Sequence, residues 1–136
     1  MAAIALSLWL LFAFADERAA VADFLGDAAG DLSNGNAQGF LRRFDRDMPG
    51  YAKLETEVYA LLKLVGVSSS AQVLEMKSTE AGVELQVDWF VELKSHGQDM
   101  ASERRRELLQ VKLKRVGRGW KIHLLEPLTI FAAPRL

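Results

Sequence analysis

The hydrophobic period of this chain changes once, and that change constrains the fold more than any other feature. Up to Val65, apolar residues recur at three- and four-residue spacing; after Val67 they recur at every second position. Helices followed by strands, with no return to helical spacing, exclude an alternating βαβ plan and place the chain in the α+β class. Ala20, Val21, Phe24, Leu25, Ala28 and Leu32 mark an amphipathic helix over 16–32. Asn36, a good N-cap residue, opens a second helix, Ala37–Phe44, with Phe40, Leu41 and Phe44 on one face. Leu54, Val58, Leu61, Leu62 and Val65 form a third stripe, and Gly66 stands where helices favour a left-handed C′ residue.

The strands follow. In "VELQVDWFVEL", Val83, Leu85, Val87, Trp89, Val91 and Leu93 share one face, and Glu84, Gln86, Asp88 and Glu92 the other. "ELLQVKLKR" turns Leu109, Val111 and Leu113 inward, "WKIHL" turns Trp120, Ile122 and Leu124 inward, and "AQVLEMKST" is a weaker strand ahead of them. "VGRG" reads as a tight hairpin. A Gly117-Arg118 turn pairs Leu113 with Ile122, Val111 with Leu124 and Leu109 with Glu126, which points the Glu126 carboxylate inward. Pro127 can instead bend the strand and turn Glu126 to the rim.

With 136 residues, 50% hydrophobic and 26% charged, the chain is long enough for one self-sufficient core. Zero cysteines exclude a disulfide framework, a thiol nucleophile and a thiolate metal site, and a formal net charge of −1 gives no global attraction to nucleic acid or an anionic membrane. The opening "MAAIALSLWLLFAFA" is uncharged and apolar from Ile4 to Phe14, then breaks to "DERAA". It is expected to be a signal peptide over 1–15, cleaved after Ala13-Phe14-Ala15, so that 16–136 is a single exported domain, periplasmic or extracellular. Membrane contact is then expected only through an uncleaved leader.

The "LSNGNAQGFLRRFD" opening of the second helix and the closing "GRGWKIHLLEPLTIF" resemble the NTF2-like superfamily, also known as the SnoaL-like or cystatin-like cone fold, over most of 16–136. The resemblance implies three N-terminal helices packed on a curved antiparallel sheet of about four strands, often with a pocket between the layers and a homodimer formed through the sheet. The superfamily includes isomerases, dehydratases and many binding modules, so the fold does not give function. Catalytic members usually insert a hairpin between the second and third helices; here only "DRDMPGYAK" bridges the gap, and the isomerases' tyrosine and aspartate motif has no match. The expectation is an exported, non-catalytic module that binds a small ligand or another protein. One alternative is a small isomerase- or dehydratase-type enzyme with Glu126 as acid/base group and Tyr51 as hydrogen-bond donor to an oxyanion. The other is a purely structural homodimer.

Tyr51, Trp89, Trp120 and Glu126 are the candidate ligand-binding residues for a small apolar ligand, although aromatics at strand period, as Trp89 and Trp120 are, more often serve core packing. Asp45 and Asp47, two apart beside Pro49-Gly50, suit a turn better than an acid/base pair, with Asp47 as a cap or turn ligand. The basic run from Lys94 to Lys121 reads as a solvated face opposite acidic Glu84, Asp88 and Glu92 rather than a nucleic-acid site. His96 and His123 form no metal cluster, and no catalytic residue or cofactor is assigned. Leu125 falls outward beside Gln110 in the hairpin register, Phe90 joins it if Val91 aligns with Leu109, and Leu108 lies one step away, forming an apolar patch expected to mediate a homodimer unless 129–136 folds back over it.

Overall fold

The computed structural model describes residues 2–96 and 102–134, with the side chains of 2–14 outside the description. The leader's side chains and most of the turn expected at 97–102 therefore lie outside the described residues. Helices α1 (Ala2–Ser33), α2 (Ala37–Arg42) and α3 (Tyr51–Leu64) precede strands β1 (Val65–Ser78), β2 (Gly82–Ser95), β3 (Ser102–Val116) and β4 (Gly119–Glu126), and a 3-10 helix (Leu128–Phe131) follows. The strands form a curved, open antiparallel sheet in the order β1-β2-β3-β4. The α+β reading and the order of helices before strands both hold.

Local sequence explains the helix boundaries. The Asn36 side chain caps α2 by accepting the Gly39 N–H at 2.9 Å. Gly50 precedes α3 at φ 83°, a conformation that favours glycine, and a Cβ there would lie 2.8 Å from Leu128 Cδ1. At the other end of α3 the expected glycine cap is absent: Val65 is the C-cap in extended conformation, and Gly66 lies inside β1 opposite Lys94. The helix thus runs into the sheet without a linker, and β1 starts earlier than its alternation suggests.

The helical stripes meet the inward faces of the strands in one core. Val21, Leu25, Ala28 and Leu32 of α1, Phe40 and Leu41 of α2, and Leu54, Val58 and Leu61 of α3 are buried against the inward residues of β2, β3 and β4. Each of the valine, leucine and phenylalanine side chains among them contributes about 1.5–3 kcal/mol relative to exposure. Ala20, expected on the inner stripe of α1, is exposed. One node ties α1 to the sheet: the Ser33 hydroxyl accepts the Ser69 N–H at 2.9 Å, while the Ser69 hydroxyl accepts the Trp89 indole N–H at 2.8 Å.

The sheet's concavity is filled by aromatic rings. Phe131 meets Trp89 edge-on, with centroids 5.3 Å apart at 90°, and meets Phe40 at 5.3 Å; Phe40 in turn packs on Phe44 at 5.0 Å. The segment that carries Phe131 is held from both sides. Arg105 donates to the Ile130 and Ala132 carbonyls at 3.0 and 2.5 Å, and a Glu57 oxygen accepts the Ala133 N–H at 2.7 Å. Residues 128–134 therefore close the inner side of the sheet and do not cover its outer face.

The expected register between β3 and β4 fails at one point. Leu113 pairs with Ile122 as expected, but a bulge follows, and Lys112 pairs with Leu124, Val111 with Leu125 and Gln110 with Glu126. His123 is the extra residue, and it shifts everything beyond it to the opposite face. Leu125 is consequently buried in the core, and Glu126 is exposed. Across the other ladder Val91 pairs with Arg105 and Val87 with Leu109, so Phe90 lies opposite Arg106 rather than beside Gln110. The outer patch expected from Phe90, Leu108 and Leu125 loses Leu125. Phe90 and the exposed Leu108 remain diagonal neighbours on that face.

Phe131→Ala is expected to cost about 3–5 kcal/mol, because the ring fills a space that neither the sheet nor the helices can collapse into. Urea denaturation checks this. The midpoint should fall at unchanged slope, and a loss below about 1 kcal/mol would show that the concavity closes without the ring.

Candidate functional site

An open groove of about 560 Å³ lies where α2, α3 and the β3-β4 hairpin meet. Its α3 wall follows directly from helical spacing. Leu54, Val58 and Leu61 turn into the core, which leaves Tyr51, Glu55 and Tyr59, four apart from one another, along the groove. Gln38, Leu41 and Arg42 line it from α2, Phe44, Asp45 and Arg46 from the connection to α3, and Lys114, Val116 and Lys121 from the hairpin.

Backbone pairing fixes the connection to the sheet. The Asp45 N–H donates to the Ile122 carbonyl, the Ile122 N–H donates to the Arg43 carbonyl, both at 2.8 Å, and Phe44 pairs with Ile122 in a parallel bridge. Asp45 then makes two contacts that account for its position beside a Pro-Gly turn. Its carboxylate bonds to the Lys114 ammonium and accepts the Asp47 N–H at 3.0 Å. The turn reading of this segment holds, but the ligand is Asp45; Asp47 contributes its backbone N–H.

Four cationic side chains, Arg42, Arg46, Lys114 and Lys121, face the groove with two carboxylates, Asp45 and Glu55. Lys114 is committed to Asp45, and the Lys121 ammonium donates to the Arg42 carbonyl. The Asp45 carboxyl is held below the usual range, chiefly by the Lys114 hydrogen bond and then by the Asp47 N–H. Tyr51 moves the other way. Burial, then the nearby Glu55 charge, raises the phenol, so its O–H is a donor at neutral pH, reaching Glu55 Oε2 at 3.5 Å.

Of the four residues singled out from the sequence, Tyr51 lines this groove, and Trp89, Trp120 and Glu126 do not. Trp89 is fully buried between Phe131 and Ser69. Trp120 packs against the edge of the core under the Arg115 guanidinium, 4.5 Å from its ring centroid. Glu126 is exposed beyond the bulge, so it and Tyr51 do not converge, and the acid/base and oxyanion pair required by the isomerase alternative does not assemble. No group of three or more His, Asp or Glu side chains that could hold a metal occurs among the described residues. Sequence reasoning missed Glu55, Tyr59, Arg42 and Arg46; the i, i+4, i+8 spacing from Tyr51 was the available signal for the first two.

No family model matches the chain, and no curated protein matches it significantly. Among solved structures, a Novosphingobium aromaticivorans protein provisionally named an aromatic ring hydroxylase superposes with a TM-score of 0.55 at 14% identity. The match covers 81% of this chain and 86% of that one. A likeness at that identity concerns the fold alone, helices followed by a curved four-stranded antiparallel sheet.

The Asp45–Lys114 pair makes the site sensitive to acid with a definite sign. A carboxyl whose folded value is depressed adds stability above its unfolded value, and that contribution disappears as the pH falls through and below about 4. Asp45→Asn should therefore have a lower urea midpoint than wild type at pH 7, and the gap should narrow between about pH 5 and pH 2. A gap that stays constant with pH would assign the loss to the turn rather than to the charge.

Proposed function

We propose that this protein is a non-catalytic small-ligand-binding module and that its site is the groove between α2, α3 and the β3-β4 hairpin, not the interior of the cone. The observation that carries this reading is the contrast between the two concavities. The interior is packed by Trp89, Phe40, Phe44 and Phe131, whereas the groove is open, of a volume usual for small-molecule sites, and lined by two tyrosines and several charges. A fragment library screened by amide chemical shifts tests it. Hits should perturb residues 38–59 and 114–121, and either an absence of hits or shifts centred on Trp89 and Phe131 would refute the groove.

The chain is also proposed to be exported, with its leader removed after Ala15. Support comes from the apolar run that ends there, and removal at that point leaves in place the contacts that Glu17 and Arg18 make with the sheet. Arg18 donates to the Val73 carbonyl at 3.4 Å, and the Glu17 carboxylate accepts the Ser78 hydroxyl at 2.6 Å and pairs with Arg115. Cleavage after Ala15 keeps all three. Among the described residues no helix is long and apolar enough to cross a membrane. Intact-mass measurement of protein from the native host should show a chain starting at Asp16; a soluble cytoplasmic product retaining Met1 would end the proposal.

A further inference from the structure

The lining of the groove contains two features that folding does not account for. Tyr59 and Val116 are 46% and 48% exposed, and both face the groove, so part of its wall is large apolar surface left in water. Beside them, the Arg42 and Arg46 side chains make no hydrogen bond or ion pair among the described residues, unlike those of their neighbours. Arg43 bonds Asp31 at 2.8 Å, Lys114 bonds Asp45, and Lys121 bonds the Arg42 carbonyl. Folding therefore uses the other cations of this region and leaves two guanidiniums next to an exposed aromatic wall.

Guanidinium groups recognise carboxylate and phosphate through paired N–H donors, and aromatic faces recognise flat apolar bodies. A neutral apolar ligand would leave the excess positive charge of the groove unmatched. A strongly charged dianion would lie among the Glu55 and Asp45 carboxylates as well as the arginines, and like charges at that range are unfavourable. An extended polyanion would need a longer basic track than a groove of about 560 Å³ offers, and on the outer face of the sheet Arg104 and Arg106 are already paired with Glu92 and Asp88.

Building on the groove reading, we propose that the ligand is an aromatic monocarboxylate, with its carboxylate on Arg42 and Arg46 and its ring system against Tyr51, Tyr59 and Val116. The Tyr51 hydroxyl already donates to Glu55, which leaves the arginines as donors for the acid group and the tyrosine rings as the surface for the apolar body.

Three probes with one ring system test the assignment: 2-naphthoate, 2-naphthamide and 2-naphthyl phosphate, titrated against the folded chain by calorimetry and amide shifts. Naphthoate is expected to bind at about 1 mM or tighter with shifts at 38–59, and the neutral amide and the phosphate about 10-fold or more weaker. The double variant Arg42→Ala/Arg46→Ala should lose about 10-fold for naphthoate and little for the amide, at an unchanged urea midpoint, since both residues are exposed. Tyr59→Ala should weaken naphthoate and amide alike. Equal or tighter binding of the amide or phosphate, or a double variant that binds naphthoate as well as wild type does, overturns the ligand class. If no probe binds but other fragments still occupy the groove, the ligand class falls and the groove reading survives. If nothing occupies the groove, both fall.

Discussion

The edge-on contact between Phe131 and Trp89 is the interaction on which the rest of the structure depends. A curved four-stranded sheet covered by three short helical stripes leaves a hollow, and a hollow lined by leucine, valine and tryptophan forfeits dispersion contacts on every wall. This chain fills it with its own C-terminal segment. The choice propagates outward: Leu128 passes so close to Gly50 that a side chain there would collide with it, which couples the loop before α3 to the strap. Because α3 is placed by that contact and by its buried stripe, its other face is free to form the wall of the groove.

The edges of the sheet are managed by different means. β1, much of it exposed, is held by α1 through Ser33, whose hydroxyl both accepts the Ser69 N–H and donates to the Ser69 carbonyl. An unpaired strand edge is a template for unwanted association, and a helix laid on it with specific hydrogen bonds removes part of that hazard. At the opposite edge, residues 43–45 supply a short parallel rung to Ile122. That rung also brings Asp45 to Lys114 and sets the floor of the groove, so edge protection and site construction use the same backbone bonds.

Period alone made the architecture legible, because three stripes at helical spacing followed by alternating strands admit few packings. Register was less legible, for a reason visible in one dipeptide. Leu124-Leu125 gives two adjacent apolar residues, and either can satisfy an inward position; the bulge at His123 chose Leu125. A one-residue slip inverts the facing of every later side chain, which is why Glu126 and Leu125 both exchanged sides. The different alignment of β2 and β3 did no such damage. Val91 meets Arg105 rather than Leu109, an even displacement that changes neighbours while preserving faces, so Val83 to Leu93 remained inward as their alternation implied.

The groove was harder to read than the core, because its charge comes from places where the sequence looks unremarkable for charge. Cationic residues are densest between Lys94 and Lys121, yet in the fold most of them are matched there. Arg104 meets Glu92, Arg106 meets Asp88, Lys112 meets Glu84, Arg115 meets Glu17, and Arg105 spends its donors on the strap's carbonyls. Such exposed pairs stabilise little individually, but each one removes a charge from the set that a ligand could use. In "LRRFDR" the outcome differs within five residues: Arg43 turns to Asp31, while Arg42 and Arg46 meet no acid. Local density of charge therefore does not locate a site. The proposed site is marked instead by charge that the fold leaves uncompensated beside apolar surface, and that remainder depends on long-range pairings, between α1, β2 and β3, that a single sequence does not display.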